Sequence, residues 1–394
     1  MTSRRLIVVA LAATLFLPAT AAAETTATHE VAADGSGDYE TIAAAIEAAA
    51  DGDTILIAPG TYVENLHLDK PLTLIGDGAR EDIVILQDET EPQYVAMEPD
   101  GTSVVTVYVD DADVTIERIS IMDEHDLYTS ILLDGGTSMI RDIYANDFVG
   151  VRGDANVTIE DSYVERLGTW GSDNYTHATG NEIRDHFFAS EGSRGRFEGN
   201  TVIDRPVVIE SGAEFEIVDN TMTPLPNEPG VVVVDHASRA TITGNEVEGG
   251  FAGVILEFAG ESIVEGNAIH GAELGVLSVE TPSTIAGNSI TDSIEVGIVA
   301  AGNGMTVSGN DIRGGRLGIH AHAIDGRPPG APVLDAPPRL IDNTIADVSH
   351  FGFVIEDSDA SVERNTVCAG RDAFQFVGDS SPAIGMNDIC EVGE

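Results

Sequence analysis

Basic side chains are scarce in this sequence. Its 394 residues include 19 lysines and arginines against 67 acidic residues, so the formal net charge is −48, and Lys70 is the only lysine. So negative a chain repels nucleic acid and anionic membranes, and both are excluded as partners. Carboxylates in this excess, almost without lysine, are typical of proteins adapted to concentrated salt, where ions screen the self-repulsion. An ordinary acidic secreted protein that gathers divalent cations is the alternative.

Long apolar stretches are missing after residue 23, which excludes membrane insertion by a spanning helix. Residues 1–23 combine Arg4 and Arg5 with an apolar run and a small-residue segment at Ala21–Ala23. This is the pattern of a secretory signal peptide. We therefore expect the mature protein to be exported and to work in a secreted or extracellular location.

Aromatic residues make up only 5% of the chain, whereas glycine occurs 42 times. A core of Val, Ile, Ala and Gly suits a narrow stacked structure better than a globular one. A repeat that begins at residue 181 points the same way. Each unit has an asparagine three positions after an apolar residue and two before another, as in Ile242-Thr-Gly-Asn245-Glu-Val247. The intervals cluster near 22 residues, and the ten positions are Asn181, Asn200, Asn220, Asn245, Asn267, Asn288, Asn310, Asn343, Asn365 and Asn387.

The segments between these asparagines are short alternating runs rich in Val, Ile and Thr, with Gly at the corners. This pattern is typical of strands and leaves no room for a long helix. A unit this short can bury its apolar side only against the next unit, about 4.8 Å away. The repeat therefore predicts an all-β solenoid, a parallel β-helix of roughly 13–15 coils.

The asparagines are expected to form a ladder at one corner of the solenoid. With one Asn in every coil, each side-chain amide can donate to the amide of the next coil and bond the turn backbone. A buried amide without partners costs on the order of 1–3 kcal/mol, so the column is favourable only when it is stacked. Earlier coils carry Ile119, Ile143 and Ser162 at the same position. The alternative is ten asparagines in ten unrelated turns.

Cysteine is nearly absent, and the two that occur hold equivalent positions. Cys368 and Cys390 each follow a ladder asparagine by three residues, so they lie on adjacent coils. Stacking brings such Cα atoms to about 4.8 Å, which is within the range of a disulfide. We predict this disulfide in an exported protein; a metal pair and free thiols are the alternatives.

A helix is predicted over residues 38–50, with Asp38 as its N-cap and with Ile42, Ile46 and Ala49 on its apolar face. Stacked repeats need a cap at their open apolar end, and this helix is placed to provide one. The expected organisation is a signal peptide at 1–23, the cap helix and first coils at 24–79, and the β-helix at 80–394.

Motifs around this helix resemble a known family. Asp34-Gly-Ser-Gly-Asp-Tyr39, Pro59-Gly-Thr-Tyr-Val-Glu64 and Lys70-Pro-Leu-Thr-Leu-Ile-Gly76 closely resemble the opening of pectin methylesterases. The later Ile-x-x-Asn repeats resemble the parallel β-helix repeat of the wider pectin-lyase-like superfamily. The resemblance implies a single-stranded right-handed parallel β-helix and a polysaccharide partner. It does not imply one chemistry, because the superfamily includes esterases, lyases, hydrolases, epimerases and noncatalytic proteins.

Pectin methylesterases, as a family, use two carboxylates, an Arg and Gln-based oxyanion donors. By resemblance Asp147 falls at the position of the general acid, and Arg205 matches the Arg of a Gly-Arg-Pro-Trp motif without its Gly or Trp. The second carboxylate of the family should lie near Thr169, where this chain has none. The set is therefore incomplete, and both residues have a second interpretation as turn and surface charges.

The coil after Ser162 is irregular and supplies a second candidate site. Its polar and aromatic residues, with arginines of neighbouring coils, suit β-elimination on uronate sugars, which needs a base and cations such as Ca²⁺ beside the substrate carboxylate. No cofactor other than Ca²⁺ is suggested. The aromatic rings can stack on sugars or simply fill the gap in the broken strand. The candidates are Asp147, Arg152, Tyr175, His177 and Arg205 for catalysis, and Trp170, Asp173 and Arg184 for substrate binding.

Two further features have no place in that site. His320 and His322 alternate on one strand and so share a face, which suits a transition metal, although such pairs also occur simply facing solvent. An outward apolar stripe is predicted at Val232, Ile255, Leu277, Val299 and Val354. It needs a cover, either the Pro-rich insertion at 323–338 or a partner chain.

Two functions remain open at this point. The first is an enzyme on uronate-type glycans, either a lyase or an esterase, although a charge of −48 opposes a polyanionic substrate unless salt or Ca²⁺ screens it. The second is a noncatalytic repeat protein for surface attachment, glycan binding or assembly, which the lack of a complete catalytic set favours.

Overall fold

Strands of two to ten residues, joined by tight turns, make up most of the chain. The computed structural model describes residues 26–88, 90, 94–98, 101–122, 128–235, 237–324 and 336–390. The predicted signal peptide and most of the Pro-rich insertion lie outside these described residues.

The described chain winds through three faces in every coil. Face A is one sheet of sixteen strands, and a second sheet of 28 strands turns a corner to form faces B and C. With one exception, the paired strands are parallel and each lies beside its counterpart in the next coil. The exception is Tyr94–Glu98, which pairs antiparallel with Gly101–Asp110. About 15 coils result, which agrees with the sequence prediction.

The strands of face A are Thr28–Val31, Thr54–Ile57, Leu72–Gly76, Val114–Glu117, Thr137–Arg141, Asn156–Glu160, Tyr175–Thr179, Arg194–Glu198, Glu214–Val218, Arg239–Thr243, Ser262–Glu265, Ser283–Ala286, Thr306–Ser308, Arg339–Ile341, Ser361–Glu363 and Ala383–Ile384. Those of face B are Gly60–Val63, Ile83–Leu86, Ser120–Met122, Glu182–Ile183, Thr201–Asp204, Thr221–Pro224, Glu246–Glu248, Ala268–His270, Ser289–Thr291, Asp311–Arg313, Thr344–Val348, Thr366–Ala369 and Asp388–Ile389. Those of face C are Leu66–Leu68, Gly101–Asp110, Tyr128–Asp134, Phe187–Ser190, Val207–Ile209, Val231–Val234, Ala252–Glu257, Leu274–Val279, Val296–Ala301, Leu317–His322, Phe351–Glu356 and Asp372–Val377. Tyr144–Arg152 and Tyr163–Trp170 run through both B and C.

Alternation along each strand decides which side chains enter the core. In Glu214–Val218, Phe215 and Ile217 are buried whereas the two glutamates are exposed. Phe215 lies beside Ala240 of the next coil, and Ile217 beside Ile242. Inward residues therefore stack on inward residues, and one apolar core runs the length of the solenoid.

The ten ladder asparagines form one continuous column between faces A and B. Each backbone N–H donates to Oδ1 of the next Asn at 2.8–3.1 Å. Each Nδ2 from Asn181 to Asn365 donates to that same oxygen at 2.9–3.1 Å. Ser162 continues the column, since its N–H donates to Asn181 Oδ1 and its Oγ accepts from Ile143 N. The predicted ladder is confirmed.

A left-handed backbone position precedes the ladder in nearly every coil. The φ angle is 67° at Gly244 and 61° at Gly287, and it is 52° at Asp219 and 57° at Asp342. Glycine adopts this conformation without strain and aspartate tolerates it better than most residues. The recurring Gly-Asn and Asp-Asn pairs therefore mark the sharp corner between faces A and B.

Helix α1, Ile42–Ala48, covers the first coil. Its own side chains Ile42, Ala45 and Ile46 are buried against that coil. Its N-cap is Thr41, whose Oγ1 accepts from Ala44 N at 3.3 Å. The predicted N-cap at Asp38 is wrong, because that carboxylate instead accepts from Glu30 N in the first strand. A single 3₁₀ turn, Arg80–Asp82, is the other helical element among the described residues, and no described helix is long and apolar enough to cross a membrane.

The far end is closed by a covalent bond. Cys368 and Cys390 form a disulfide with their Cα atoms 4.9 Å apart, which confirms the prediction.

The outward apolar stripe is also present on face C. Val299 is 8% exposed, and Leu277 and Ile324 pack around it. Ile324 belongs to the Pro-rich insertion, so the start of that insertion provides part of the expected cover.

Candidate functional site

The structure distributes the predicted site residues over three places. The carboxylate of Asp147 and the arginines 184 and 205 lie where the chain passes from face B to face C, here called the B–C junction. Arg152 and Trp170 lie at the far end of face C, and Asp173 follows in the turn to face A. Tyr175 and His177 belong to face A. These residues are neighbours along consecutive coils, but they do not share one surface.

The B–C junction is irregular at the coils that contain the candidates. Ala145 pairs with Val164 and Phe148 with Arg166, so one strand has an extra residue and a bulge holds Asp147. In the next coil Ile183 pairs with Val164, and Phe187 with Leu167, so three residues oppose two and this strand also has one extra residue. Bulges of this kind re-aim side chains next to functional sites. Here they present Asp185 and His186 at the junction.

An imidazole lies at the centre of this junction. His186 Nδ1 is 3.1 Å from Asp185 Oδ2, and Arg205 Nε is 3.4 Å from the other oxygen of the same carboxylate. In the preceding coil Arg166 bonds to Asp147, which is only 4% exposed. Arg166, His186 and Arg205 therefore form a row across three consecutive coils, here called the His186 row. In it the histidine lies between the two arginines.

Burial and charge both act on His186. Burial lowers its pKa below the usual value, and the positive charges of Arg166 and Arg205 lower it further, while Asp185 opposes them. A carboxylate can only accept, so Nδ1 carries the proton that it donates to Asp185. Nε2 is then the atom with a free lone pair, and the ring is neutral at physiological pH.

Aromatic side chains support the row from face C. Phe148, Trp170 and Phe188 have centroids 5.8–6.2 Å apart and ring planes within 18° of parallel. They pack over Gly150 and Gly168, where a Cβ would lie 2.8 Å or less from a ring carbon. Phe148 and Trp170 are each 7% exposed, so Trp170 mainly packs and offers little surface to a ligand.

This aromatic cluster also contacts the charged groups. The Arg166 guanidinium lies 6.0 Å from the centre of the Phe148 ring, and the His186 ring lies 5.7 Å from that of Phe188. Cation–π contact and ring packing restrict the rotamers of both side chains. The arrangement is therefore supported from beneath as well as along the row.

Two other predicted arginines, Arg184 and Arg152, interact with side chains outside this row. Arg184 is close to Tyr163, whose hydroxyl donates to Glu165 at 2.9 Å, and burial followed by this bond raises the pKa of Tyr163 to about 12. Arg152 forms an ion pair with Asp134 at 2.7 Å. Both arginines line the outside of the solenoid without reaching His186.

At the positions that the resemblance indicates, Asp147 and Thr169, the methylesterase arrangement is not formed. Thr169, at the position where that family has its second carboxylate, is fully buried and bonds inward to Asn174 and Thr176. Asp147 is held by Arg166 on the outside. The two positions therefore face opposite sides of the sheet, and no paired carboxylates form there.

The predicted metal pair has a limited ligand set. His320 and His322 have ring centroids 5.0 Å apart, and His320 Nε2 is 3.1 Å from Glu356 Oε2. Within the described ranges no group of three or more His, Cys, Asp or Glu side chains is arranged to hold a metal ion. The neighbouring residues 325–335 lie outside those ranges, so the metal site stays a prediction.

Sequence reasoning missed the central residues of the junction, namely Arg166, Asp185, His186, Phe148 and Phe188. The available signal was the polar pair Asp185-His186, which directly precedes the two aromatic residues Phe187-Phe188 at the start of a strand. It carries no period and resembles no motif that we identified.

Comparison with known proteins supports the architecture. Residues 229–389 match the family described as right handed beta helix region. The fold is a right-handed parallel β-helix. No curated protein sequence matches this β-helix.

Several solved structures are similar to this right-handed β-helix. One is the periplasmic alginate epimerase AlgG, with a TM-score of 0.46 and 12% identity over 86% of this chain and 77% of that chain. Another is the catalytic unit of a thermostable α-1,3-glucanase from Streptomyces thermodiastaticus, with a TM-score of 0.48, 15% identity, and 86% and 64% coverage. A third is the pectin methylesterase PemA from Erwinia chrysanthemi, with a TM-score of 0.31, 13% identity, and 57% and 80% coverage.

Proposed function

We propose that this β-helix acts on an extracellular polysaccharide that carries carboxylate groups, and that His186 removes a proton from the sugar. The observation that supports this most directly is the row of one neutral imidazole between two arginines. Proton abstraction next to a carboxylate needs a neutral base and a positive charge where negative charge develops. The junction offers both within three consecutive coils.

The chemistry follows from the positions of the atoms. His186 Nε2 takes the proton from the carbon beside the sugar carboxylate, and the electron pair left behind is delocalised onto the carboxylate oxygens. Arg166 and Arg205 are the nearest positive groups to stabilise that charge. Expulsion of the glycosidic oxygen from the adjacent carbon, with protonation by water, completes a β-elimination. Asp185 is a positioning residue that keeps the proton on Nδ1.

The compartment agrees with such a substrate. Disulfides form and persist in oxidising compartments, and Cys368 and Cys390 are bonded within one chain. Together with the signal peptide predicted at 1–23, this supports an exported protein.

One observation favours a second candidate, a noncatalytic glycan-binding β-helix. Both arginines of the row already have carboxylate partners, since Arg166 bonds to Asp147 and Arg205 reaches Asp185 and Glu228 at 3.4 and 3.2 Å. A sugar carboxylate would have to compete with them. Arg205 is half exposed and is therefore the easier of the two to recruit.

Deuterium exchange separates the two functions. The protein is incubated with polygalacturonate and with alginate in D₂O, at low and high salt and with or without Ca²⁺. Nuclear magnetic resonance follows deuterium at C5, and ultraviolet absorbance follows unsaturated products. Reprotonation of the carbanion by solvent places deuterium at C5, whereas elimination places none there and instead gives an unsaturated product that absorbs in the ultraviolet. Methanol and reducing ends are assayed in parallel for esterase and hydrolase activity.

The matched variants are His186→Gln and His270→Gln. His270 also lies beside an aspartate, with Nδ1 3.7 Å from Asp292 Oδ2, but it is on face B far along the solenoid. His186→Gln should abolish both exchange and unsaturated products, and His270→Gln should leave them unchanged. Binding of either polymer with neither exchange nor unsaturated products in the wild-type protein would leave the noncatalytic function in its place.

A further inference from the structure

Face A carries a groove on the side of the solenoid away from the B–C junction. Its volume is about 420 Å³, and it runs along the solenoid between two rows of outward side chains. The first row is Tyr175, Arg194, Glu214, Arg239 and Glu261, and the second includes Glu216, Thr241 and Ile263. Because each row takes one residue from each coil, the groove is elongated along the stacking direction.

Small residues form the floor of this groove. Gly195 and Ala240 lie between the rows, in the positions that point inward. At Gly195 a Cβ would lie 2.0 Å from Thr176 O and 2.6 Å from the ring of Phe215. Only glycine fits there, so the neighbouring Phe215 ring fills the core and the wall has no side chain of its own at that coil.

The groove has two arginines against three glutamates, so its charge is far closer to balance than that of the whole chain. Arg239 Nη1 is 3.5 Å from Glu214 Oε1, and Arg196 at its edge bonds to Glu198 and Glu216. Arg194 is exposed and makes no ion pair or side-chain hydrogen bond with any other residue of the described ranges. It is therefore a cation ready for an external anion, on a protein whose net charge is −48.

An exposed aromatic ring lies next to that cation. Tyr175 is in register with Arg194 on the next coil, and 46% of it is exposed. An aromatic face beside a guanidinium is suited to a sugar ring that carries a carboxylate, because the ring packs on one and the carboxylate binds the other. Glu214 and Glu216 can accept hydrogen bonds from sugar hydroxyls along the same line.

We propose that this groove is a second, noncatalytic site that binds a strand of acidic polysaccharide along the solenoid axis. Tyr175 packs against one sugar ring and Arg194 binds its carboxylate. Coils spaced by about 4.8 Å offer one set of side chains per step, which matches an extended polymer. The identity of the polymer rests on the function proposed above, whereas the presence of the site rests on the groove itself.

Binding measurements on the full chain test this site. Calorimetry and affinity electrophoresis are run with oligogalacturonate and with alginate fragments, and with neutral cello-oligosaccharides for comparison. Tyr175→Ala and Arg194→Ala are each expected to weaken binding of the acidic fragments by about tenfold, as loss of one charge-assisted contact would. Tyr175→Phe keeps the ring and should bind like the wild type.

Arg339→Ala is the matched control. Arg339 lies on the same face, is also exposed, and also has no ion pair with another described residue, but it is outside the groove. Its removal should leave binding unchanged. Equal losses in Arg339→Ala and Arg194→Ala would mean that only general charge matters and would overturn the site. So would wild-type binding by Arg194→Ala, or equal binding of neutral fragments.

The two proposals fail separately. His186→Gln should abolish deuterium exchange and unsaturated products and leave binding in the groove intact. If the wild-type protein shows neither exchange nor unsaturated products but Arg194→Ala still lowers affinity, the groove stands and the catalytic proposal falls. If either is seen and the groove variants bind normally, the reverse holds.

Discussion

Glu64 and Lys70 bind opposite ends of the same short helix. Glu64 Oε1 and Oε2 accept from Ile42 N and Ala43 N at 2.9 and 2.7 Å, and Lys70 Nζ donates to Ile46 O and Ala49 O at 2.9 and 3.0 Å. A negative group at the N-terminus and a positive group at the C-terminus both suit the helix dipole. The motifs that resemble the pectin methylesterases therefore hold the cap helix α1 in place. Lys70, the only lysine of the chain, has a structural role.

Loss of either contact should loosen the cap. Lys70→Met removes two charge-assisted hydrogen bonds and should lower the free energy of unfolding by about 2 kcal/mol. Glu64→Gln should cost less, since the amide still offers one acceptor. Urea unfolding measures both, with Glu47→Gln on the exposed side of the helix as the control. An unchanged midpoint in Lys70→Met would contradict this role.

The interior of the ladder should be more sensitive than its end. Asn267→Ala removes an oxygen that accepts two hydrogen bonds and an amide that donates onward, so buried donors lose their partners. The expected loss of stability is on the order of 3 kcal/mol. Asn387→Ala, at the last coil, should cost clearly less, because that amide is partly exposed and has no following asparagine. Thermal unfolding at constant salt compares them, and equal losses would argue against cooperative stacking.

Reduction should act on the last coils alone. Cys368→Ser opens a loop of 22 residues, and the entropic model of disulfides gives about 3 kcal/mol for a loop of this length. Hydrogen exchange followed by mass spectrometry should show faster exchange in the final two coils and unchanged rates near α1. Uniformly faster exchange throughout the solenoid would contradict a local effect.

Acid should weaken the first coil through Asp53. Its carboxylate accepts from His29 Nε2, Ala27 N and Ala50 N, and these hydrogen bonds, that from His29 foremost, lower its pKa to about 2. A lowered pKa means that the unfolded chain binds the proton more readily. The stabilisation is therefore complete above about pH 4 and lost as the pH falls towards 2. Melting temperatures of Asp53→Asn should be lower and should depend less on pH in that range, whereas Asp51→Asn should follow the wild type.

The rate of proton abstraction should report the environment of His186. Burial first, and then Arg166 and Arg205, lower the pKa of this imidazole, so the base stays unprotonated below the ordinary histidine value of about 6.5. The acid limb of the pH–rate profile should lie below that value. Removing a positive neighbour raises the pKa, so Arg205→Gln should move the limb to higher pH and lower the rate. A limb that moves to lower pH would contradict the assignment.

The regular parts of this β-helix were predictable because a solenoid repeats one local arrangement. A strand period, a turn residue with positive φ such as Gly244, and one asparagine per coil specify the register of Asn245 on Asn267 without any long-range information. Cys368 and Cys390 followed directly from that register. Asp38 was a reasonable N-cap by composition, but the carboxylate bonds to Glu30 N, and the helix begins after Thr41 instead.

The site was less predictable because it depends on where a coil departs from its average. Between Ile183 and Phe187 the chain has three residues, where the preceding coil has two between Val164 and Leu167. Counting repeat lengths does not reveal which corner receives the extra residue. Tyr175 and Arg205 were therefore grouped by their distance in sequence, although they lie on different faces.

Because the asparagine ladder repeats one contact in every coil, the length of the solenoid can be changed one coil at a time. Each internal asparagine donates to Oδ1 of the next one in the same way, so any internal rung can face any other. Deleting residues 246–267 would bring Asn245 onto Asn288 and shorten the rod by one step of about 4.8 Å, with the same cross-section. The distance between the His186 row and the coils joined by the Cys368–Cys390 disulfide can thus be changed by whole coils. The side chains on the faces need not change.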